Sequence, residues 1–247
     1  MNRVRIFLAA TWALAGPAGA ANVAMAFGDN LPPFILAGED AGIEVDLVRE
    51  ALAYRGHVLQ ARYLPMGRIP VSFKARAVDA IMMDVGVDMT PHGGHYGAPP
   101  VIYDNVFYTL KRSKLVIRRP QDLQGHTMIA FVGAAARYPV WLRPLASGPG
   151  YVESNHQEAQ PLLLALGRYD IALSDRSIFQ YYTRLQRKRD PGFVMPPVDE
   201  HSFIRADGGD YRPVFRSAAI RDDFNAGLAH LHKTGRYRAI YDKYLRD

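Results

Sequence analysis

Two histidines three positions apart, His92 and His95, are the first residues of this sequence whose spacing suggests chemistry. Imidazoles at this separation can share one metal ion, which is usually held by three or four protein ligands. Gly93 and Gly94 lie between them and predict a loop, and no third or fourth ligand accompanies the pair. We therefore predict that the chain holds neither a metal ion nor a cofactor.

A second candidate is the segment Gly133-Ala134-Ala135, which follows one predicted strand and opens a predicted helix. Backbone N–H groups at the start of a helix favour anions, so Gly133 and Ala134 are candidate ligand-binding residues. The alternative is a tight strand-to-helix turn without a binding role, for which glycine is well suited.

Several kinds of chemistry are excluded by what the full sequence lacks. It contains no cysteine, and therefore no disulfide, no thiolate metal site, no cysteine nucleophile and no cysteine for a lipid anchor. It also has no Gly-x-Ser-x-Gly elbow, no His-Glu-x-x-His motif and no phosphate-binding loop. We predict no catalytic residues and a protein that is not an enzyme.

Residues 1–20 have the features of an export signal. Arg3 and Arg5 give a positive head, a short apolar run covers 6–15, and Ala18-Gly19-Ala20 supplies small residues for cleavage after Ala20. The alternative is an N-terminal core helix. Export predicts a periplasmic location, and no later apolar run in the sequence is long enough to span a membrane.

The charge distribution argues against a nucleic-acid partner. The formal net charge is +6 for the full sequence and +4 once Arg3 and Arg5 are removed with the leader. The basic residues are scattered, and their densest cluster, at 184–189, stands at the end of a predicted helix. Cations are favoured at that end of a helix, so a solvated helix end accounts for the cluster.

The elements that must position the candidate residues alternate between strands and helices, a rhythm that predicts parallel α/β sheets. Strands are predicted over 22–27, 57–63, 80–83, 127–132 and 171–173. Helices are predicted around the apolar face Ile43, Leu47, Val48, Ala51 and Leu52, over 70–76 and 161–166, and around the apolar tail residues Phe224, Leu228, Leu231, Tyr237, Ile240, Tyr241, Tyr244 and Leu245.

Two of the predicted buried strands have similar sequences. Residues 78–84 and 169–175 each place one Asp before the strand and one after it, five positions apart. Each segment also follows an amphipathic helix. This short repeat predicts two lobes that are built alike.

A series of motifs, taken in order, makes the chain resemble the amino-acid-type periplasmic solute-binding proteins, the family 3 binding proteins of ABC importers. The resemblance covers nearly all of the chain after the leader, and its strongest part is the tail from Asp223 to Leu245. The other matching segments are Asp29-Asn30-Leu31-Pro32-Pro33-Phe34, Gly42-Ile43-Glu44-Val45-Asp46-Leu47, Pro65-Met66-Gly67-Arg68, Val78-Asp79-Ala80-Ile81, Thr90-Pro91, Asp122-Leu123-Gln124-Gly125 and Gly167-Arg168-Tyr169-Asp170.

The resemblance implies an α/β fold, the two-lobed type II periplasmic binding protein fold, with crossover strands joining the lobes. Lobe 1 is expected over 21–109 and 213–247 and lobe 2 over 110–212, with the crossings near 107–111 and 211–215. It further implies a monomer that captures a small polar or zwitterionic, amino-acid-like solute by lobe closure. The implied partner is the membrane permease of an ABC-type importer.

The resemblance also assigns candidate ligand-binding residues. Phe34 and Met66 fall where relatives place apolar walls against the ligand, with ordinary loop packing as the alternative. Asp175 matches the carboxylate that receives the ligand's amino group, and it is equally placed to cap the helix that begins after it. The remaining candidates, from the matched segments or beside them, are Asp29, Asp84 and Thr90.

One expected residue is missing. Relatives that bind free amino acids follow the Thr-Pro step with an arginine that grips the ligand's carboxylate, but this sequence has no Arg and no Lys between Arg76 and Lys111. Either Arg68 supplies the guanidinium from a neighbouring loop, or the ligand lacks a free carboxylate. The alternative for Arg68 is an ordinary surface arginine.

Two other functions remain compatible with the resemblance. The first is an enzyme of the cyclohexadienyl dehydratase type, in which Asp84 or Asp88 would protonate a leaving hydroxyl group. The second is a binding protein that serves a membrane sensor or a periplasmic dehydrogenase and has no transporter.

Overall fold

A computed structural model of the protein describes residues 19–84, 87–204 and 211–246, except for the side chains of Met83 and Asp84. The predicted export signal, residues 1–20, therefore lies almost wholly outside the described residues. Within the described ranges, no helix is both long enough and apolar enough to cross a membrane.

Ten strands in the described ranges form two five-stranded sheets. In chain order they are β1 (Asn22–Gly28), β2 (Val58–Leu64), β3 (Ala80–Asp84), β4 (His95–Tyr96), β5 (Asn105–Leu110), β6 (Met128–Phe131), β7 (Tyr151–Ser154), β8 (Ile171–Asp175), β9 (Val198–Ser202) and β10 (Tyr211–Phe215). The helices that cover them are α1 (Ile43–Ala53), α2 (Ile69–Lys74), α3 (Ala134–Arg137), α4 (Pro139–Leu142), α5 (Gln160–Ala165), α6 (Arg176–Arg189), α7 (Ala218–Thr234) and α8 (Arg236–Leu245).

The two sheets share one arrangement. The first has the order β2-β1-β3-β10-β4 and the second has the order β7-β6-β8-β5-β9. In each sheet the first three strands are parallel and the last two pair antiparallel. The sequence predicted parallel sheets, but both sheets are mixed. The strand that arrives from the other lobe, β10 in the first sheet and β5 in the second, runs opposite to the three parallel strands.

The two strands with similar sequences, β3 and β8, occupy the same middle position in their sheets. The prediction of two lobes built alike is therefore confirmed. We call the first sheet with its helices lobe 1, and the second sheet with its helices lobe 2.

The chain passes between the lobes twice. The first passage lies between β4 and β5, because all of β5 pairs in the second sheet, starting with Asn105 opposite Asp175. All six residues of β5 are buried, as expected for a strand covered on both faces. The lobe boundary expected after residue 109 therefore falls inside β5. The chain crosses to lobe 2 before Asn105, earlier than the crossing predicted near 107–111.

The return passage lies between β9 and β10. All of β10 pairs with strands of the first sheet, beginning with Tyr211 opposite Asp84. The chain has therefore reached lobe 1 by Tyr211, and the passage includes residues 205–210, which are outside the described ranges.

The core of lobe 1 lies between its sheet and two helices, α1 and α7. The apolar face predicted for α1 is buried along its whole length. The two helices approach closely at Gly227 of α7, where an added Cβ atom would stand 1.9 Å from the carbonyl oxygen of Ala51. Only glycine permits this approach, so Gly227 sets the distance between the helices.

The core of lobe 2 is built around Phe107 of β5. Its ring lies 4.4 Å from the ring of Phe203 and 5.6 Å from that of Trp141, between centroids. Leu173 of β8 and Met128 of β6 are buried in the same cluster. Burial of these large side chains holds the antiparallel strand β5 against the parallel part of the sheet.

Candidate functional site

A cleft between the two lobes contains a cavity of about 390 Å³. Its walls come mostly from the loops that follow parallel strands. In α/β sheets, binding crevices commonly form at these carboxyl ends of the strands. Lobe 1 contributes Gly28, Asp29, Asn30, Leu31, Ile35 and Met66, and lobe 2 contributes Phe131, Val132, Arg137, Ser154, Asn155, Gln157, Asp175 and Ile178.

The floor of the cleft is formed where the chain passes between the lobes. Tyr103, just before β5, and Tyr211, at the start of β10, both line the cavity. Their rings meet edge to face with centroids 5.1 Å apart. Asn105 also lines the cavity, and its side-chain amide donates a hydrogen bond to the hydroxyl of Tyr138 over 3.0 Å.

A carboxyl group lies buried behind this floor. Glu44 of α1 is completely inaccessible to solvent, and its Oε1 atom has no hydrogen-bond partner. Burial raises the pKa of Glu44 to about 8, although hydrogen bonds from Tyr103 and Tyr211 oppose the rise. At neutral pH the group is therefore mostly protonated, which removes the cost of burying a charge.

Asp175 lines the cavity at the end of β8, but its carboxylate is already engaged. Its Oδ1 accepts the backbone N–H groups of Ser177 and Ile178 at 2.8 and 3.1 Å, as a cap of helix α6. Its Oδ2 accepts the N–H of Asp104 at 2.7 Å. Burial raises the pKa of Asp175 to about 7, although these hydrogen bonds oppose the rise. The predicted capping role is confirmed, and the contact with a ligand's amino group stays a prediction.

The N–H groups of the turn at Gly133 are also engaged. Glu153 of β7 accepts the N–H of Gly133 at 2.7 Å and the N–H of Ala135 at 2.8 Å. Tyr151 donates its hydroxyl to the same carboxylate at 2.7 Å. A side chain of lobe 2 thus fills the place predicted for an anionic ligand at Gly133 and Ala134, neither of which lines the cavity. The segment is a tight turn that opens α3, as in the alternative.

Comparison with solved structures matches this two-lobed arrangement over nearly the whole chain. The second substrate-binding domain of GlnP from Lactococcus lactis, in an open conformation, has 22% sequence identity and a TM-score of 0.62, with 92% of this chain and 96% of that chain covered. A histidine kinase sensor domain with similarity to periplasmic binding proteins has 22% identity and a TM-score of 0.62, with 91% and 96% covered. An ancestral cationic amino acid solute-binding protein has 15% identity and a TM-score of 0.66, with 91% and 96% covered.

The chain has the type II periplasmic-binding-protein fold. The matched structures include amino-acid-binding proteins. Their sequence identities with this chain are low, so the likeness establishes the fold and no more. No protein-family model and no curated protein matches the sequence.

Within this type II fold, two of the predicted ligand-binding residues face the cleft from lobe 1. Asp29 follows β1 and is exposed, with its Oδ1 accepting the N–H of Asn30 at 3.1 Å. Met66 stands in a short 3-10 helix after β2 and is 49% exposed. Both residues therefore remain candidates for ligand contact.

Other predicted residues lie elsewhere in the binding-protein fold. Phe34 is fully buried and packs behind Tyr103, with ring centroids 4.6 Å apart, so it supports the floor and does not form a wall. Arg68 and Thr90 are exposed and do not line the cavity. The backbone of Asp84 ends β3, but its side chain lies outside the described residues.

The histidine pair does not reach the cleft either. His92 and His95 are both exposed and absent from the cavity lining. Within the described residues, no group of three or more His, Cys, Asp or Glu side chains is arranged to hold a metal ion.

One described residue of the cleft, the cation Arg137, was not among the residues predicted from the sequence. It ends α3 on lobe 2, and it is the cationic side chain among the described residues that line the cavity. Its Nε donates to the hydroxyl of Tyr138 over 3.2 Å, and its guanidinium lies 5.8 Å from that ring's centroid. In the sequence, Arg137 stands four residues after Gly133, one turn into the predicted helix. This position could have identified it as a residue near the cleft.

Proposed function

We propose that this protein is a periplasmic solute-binding protein that captures a small polar solute in the cleft by closure of the two lobes. On this proposal it delivers the solute to the permease of an ABC-type importer. The observation that carries the proposal is a cleft of about 390 Å³ lined by both lobes and floored by the segments that join them. A volume in this range is typical of sites for small molecules.

Exposed apolar side chains on opposite sides of the cleft support closure. Met66 of lobe 1 is 49% exposed and Val132 of lobe 2 is 63% exposed, and both line the cavity. Large apolar side chains that face water across a cleft mark a surface that another molecule or another part of the chain covers. Closure over a solute would remove both from water.

Tyr103 and Tyr211 support the same proposal from the floor of the cleft. The hydroxyl group of Tyr103 donates a hydrogen bond to Glu44, and the rings of the two tyrosines pack against each other. A solute placed on these rings would meet a rigid aromatic surface, which favours binding of its carbon skeleton.

A sensory role is the second candidate, because a histidine kinase sensor domain has the same fold over nearly its full length. The two roles differ in the partner and share the cleft. Deleting the gene distinguishes them: loss of solute uptake supports delivery to an importer, whereas unchanged uptake with loss of a transcriptional response supports a sensor.

The dehydratase alternative is less well supported. A general acid requires a raised pKa, but the N–H and hydroxyl groups of Thr90 donate hydrogen bonds that lower the pKa of Asp88. Asp175 has a raised pKa, but its carboxylate is almost inaccessible and accepts three backbone N–H groups. The side chain of Asp84, the other candidate acid, lies outside the described residues, so we propose binding without catalysis on the groups that are described.

The experiment that tests the proposed function is a thermal-shift screen of residues 21–247 against amino acids, amines, organic acids and small peptides. A solute present at about a hundred times its dissociation constant stabilises the folded state by about 2.7 kcal/mol. A reproducible shift with one chemical class supports the proposal. No shift with any class, from a protein that melts cooperatively, would contradict it.

A further inference from the structure

Lobe 2 carries an accumulation of basic residues at the end opposite the cleft. Strands β6 and β8 are parallel and run toward the cleft, where Phe131 and Asp175 line the cavity, so the segments before these strands lie at the other end of the sheet. β5 runs the opposite way, and β9 begins beside its last residue, Leu110. Three segments therefore meet at the end opposite the cleft: 111–127, 166–170 and 187–197.

Backbone hydrogen bonds hold these three segments side by side. The N–H of Lys111 donates to the carbonyl oxygen of Pro197 at 2.8 Å, and the N–H of Asp170 donates to that of Thr127 at 3.0 Å. The segments thus form one continuous surface, which we call the basic end of lobe 2.

The basic end has a large excess of positive charge. It contains nine Lys and Arg residues and three Asp, a net formal charge of +6, which equals that of the whole sequence. All nine cationic side chains are exposed: Lys111, Arg112, Lys114, Arg118, Arg119, Arg168, Arg187, Lys188 and Arg189. Among the described residues, Arg119 pairs with Asp122 and the other eight form no ion pair. A surface with this much unbalanced charge attracts anions.

The sequence had assigned its densest basic cluster, at 184–189, to a solvated helix end. In the structure the last turn of α6 lies beside two other basic segments that are distant in the sequence. The cations that are scattered along the chain are therefore brought together on one face, which a helix end alone does not explain.

Each of the three segments also exposes one large aliphatic side chain. Val116 is 57% exposed, Leu166 is 62% exposed and Val194 is 77% exposed. Cations combined with exposed apolar side chains are typical of surfaces that bind anionic lipids, because the apolar groups enter the boundary between headgroups and acyl chains. A protein interface usually has an apolar centre that is depleted of charge, but Val116 and Leu166 each stand two residues from a cation.

We propose that the basic end of lobe 2 binds the surface of a membrane that contains anionic phospholipids. The cations contact the headgroup phosphates, and each Lys or Arg near such a surface contributes about fivefold in affinity. The three aliphatic side chains enter the boundary below the headgroups. The cleft lies at the other end of lobe 2, so this contact goes beyond the proposed function and needs no solute.

The test is co-sedimentation of residues 21–247 with lipid vesicles in the absence of solute. Vesicles of phosphatidylcholine and phosphatidylglycerol in equal parts are anionic, and vesicles of phosphatidylcholine alone are neutral. We expect at least about tenfold tighter binding to the anionic vesicles at low salt. Added salt should release the protein, because it screens charges that are exposed to solvent.

Two variants assign the contact to the basic end. The triple variant Arg187→Gln, Lys188→Gln and Arg189→Gln removes three cations from the last turn of α6 and should weaken binding to anionic vesicles by about tenfold or more. Val194→Ser should weaken it by about threefold, because less apolar surface enters the lipid.

Matched controls change the same kinds of residue on lobe 1. Arg62→Gln, Lys74→Gln and Lys233→Gln together remove three exposed cations, and Val71→Ser changes an exposed valine. Both controls should bind anionic vesicles within about twofold of the wild type. Melting curves of every variant show whether it is folded.

A second triple variant guards against misfolding of the first. Should the α6 variant fail to fold, Lys111→Gln, Arg112→Gln and Lys114→Gln together remove three cations from another segment of the basic end. The same loss of about tenfold or more is expected.

Three results would overturn the inference. The first is equal binding, or no binding, to anionic and neutral vesicles. The second is wild-type binding by a folded triple variant of the basic end. The third is binding of a short DNA duplex as tightly as anionic vesicles and without an effect of Val194→Ser, which would identify a general site for polyanions. The thermal-shift screen with solutes tests the proposed function separately from all three.

Discussion

The hydroxyl group of Tyr103 donates a hydrogen bond to Oε2 of Glu44, with 3.4 Å between the oxygens. Tyr103 stands on the passage from lobe 1 to lobe 2, and Tyr211, whose hydroxyl group lowers the pKa of Glu44, stands at the end of the return passage. Both connections between the lobes thus pass beside one buried carboxyl group of α1. Rotation of lobe 2 about these segments would leave Glu44 in place at the pivot.

The first prediction concerns pH. Burial raises the pKa of Glu44 from its ordinary value to about 8, so the folded state binds a proton that the unfolded chain releases at lower pH. The contribution of Glu44 to the free energy of unfolding should therefore fall as pH rises between about pH 5 and pH 8, by up to about 1.4 kcal/mol per pH unit. Urea unfolding at a series of pH values measures this slope.

The control for this prediction is Glu44→Gln, which stays neutral at every pH and can still accept from both tyrosines. Its stability should depend less on pH than that of the wild type. A smaller slope of the same sign should remain below about pH 7, because the pKa of Asp175 is also raised. Equal slopes in the two proteins would show that Glu44 is ionised when folded.

The second prediction concerns the cap of α6. Asp175→Ala leaves the N–H groups of Ser177, Ile178 and Asp104 without an acceptor, which should lower the free energy of unfolding by about 1–3 kcal/mol. Asp175→Asn retains a capping oxygen and should lose less. Urea unfolding of both variants measures the difference, and an equal loss would contradict the capping role.

The third prediction concerns Glu153, which holds the turn before α3. Glu153→Ala removes the acceptor for two backbone N–H groups and the hydroxyl of Tyr151, and should lower the free energy of unfolding by about 1–3 kcal/mol. Glu158→Ala removes a half-exposed carboxylate whose ion pair among the described residues is with exposed His156, and should change stability by less than about 0.5 kcal/mol. Similar losses in both variants would contradict the role given to Glu153.

The fourth prediction concerns the contact between α1 and α7. A Cβ atom at Gly227 would stand 1.9 Å from the carbonyl oxygen of Ala51, so Gly227→Ala must push the two helices apart. We expect a loss of about 2 kcal/mol or more in the free energy of unfolding. Gly38→Ala, where an added Cβ meets nothing within 4 Å, is the control and should unfold like the wild type.

Much of the fold could be predicted from the sequence because it depends on local patterns. The apolar spacing of α1 predicted a helix whose buried face is the one observed. The matching strands β3 and β8 predicted two lobes built alike, and they hold equivalent positions in the two sheets. The position of β5 in its sheet was harder to predict from the sequence, because its pairing with β8 joins segments about 65 residues apart.

The site was predicted less well, because its geometry comes from contacts between distant segments. Phe34 was placed against the ligand, but the loop turns under α1, where the N–H of Glu44 donates to the carbonyl oxygen of Phe34 at 3.0 Å. The sequence predicted that the N–H groups at Gly133 bind an anionic ligand. In the structure, the pairing of β6 with β7 brings the carboxylate of Glu153 to them instead.

The proposed function depends on closure of the two lobes over a solute, and because the chain has no cysteine, closure can be measured with two introduced labels. Gln60 on β2 and Val152 on β7 are exposed on the edge strands farthest in their sheets from the connecting strands. With Gln60→Cys and Val152→Cys carrying spin labels, the distance between the labels is measured by electron resonance with and without the solute that shifts the melting curve. If the lobes close, the distribution shifts to shorter distances when the solute is bound. A solute that stabilises the protein and leaves the distribution unchanged would contradict lobe closure.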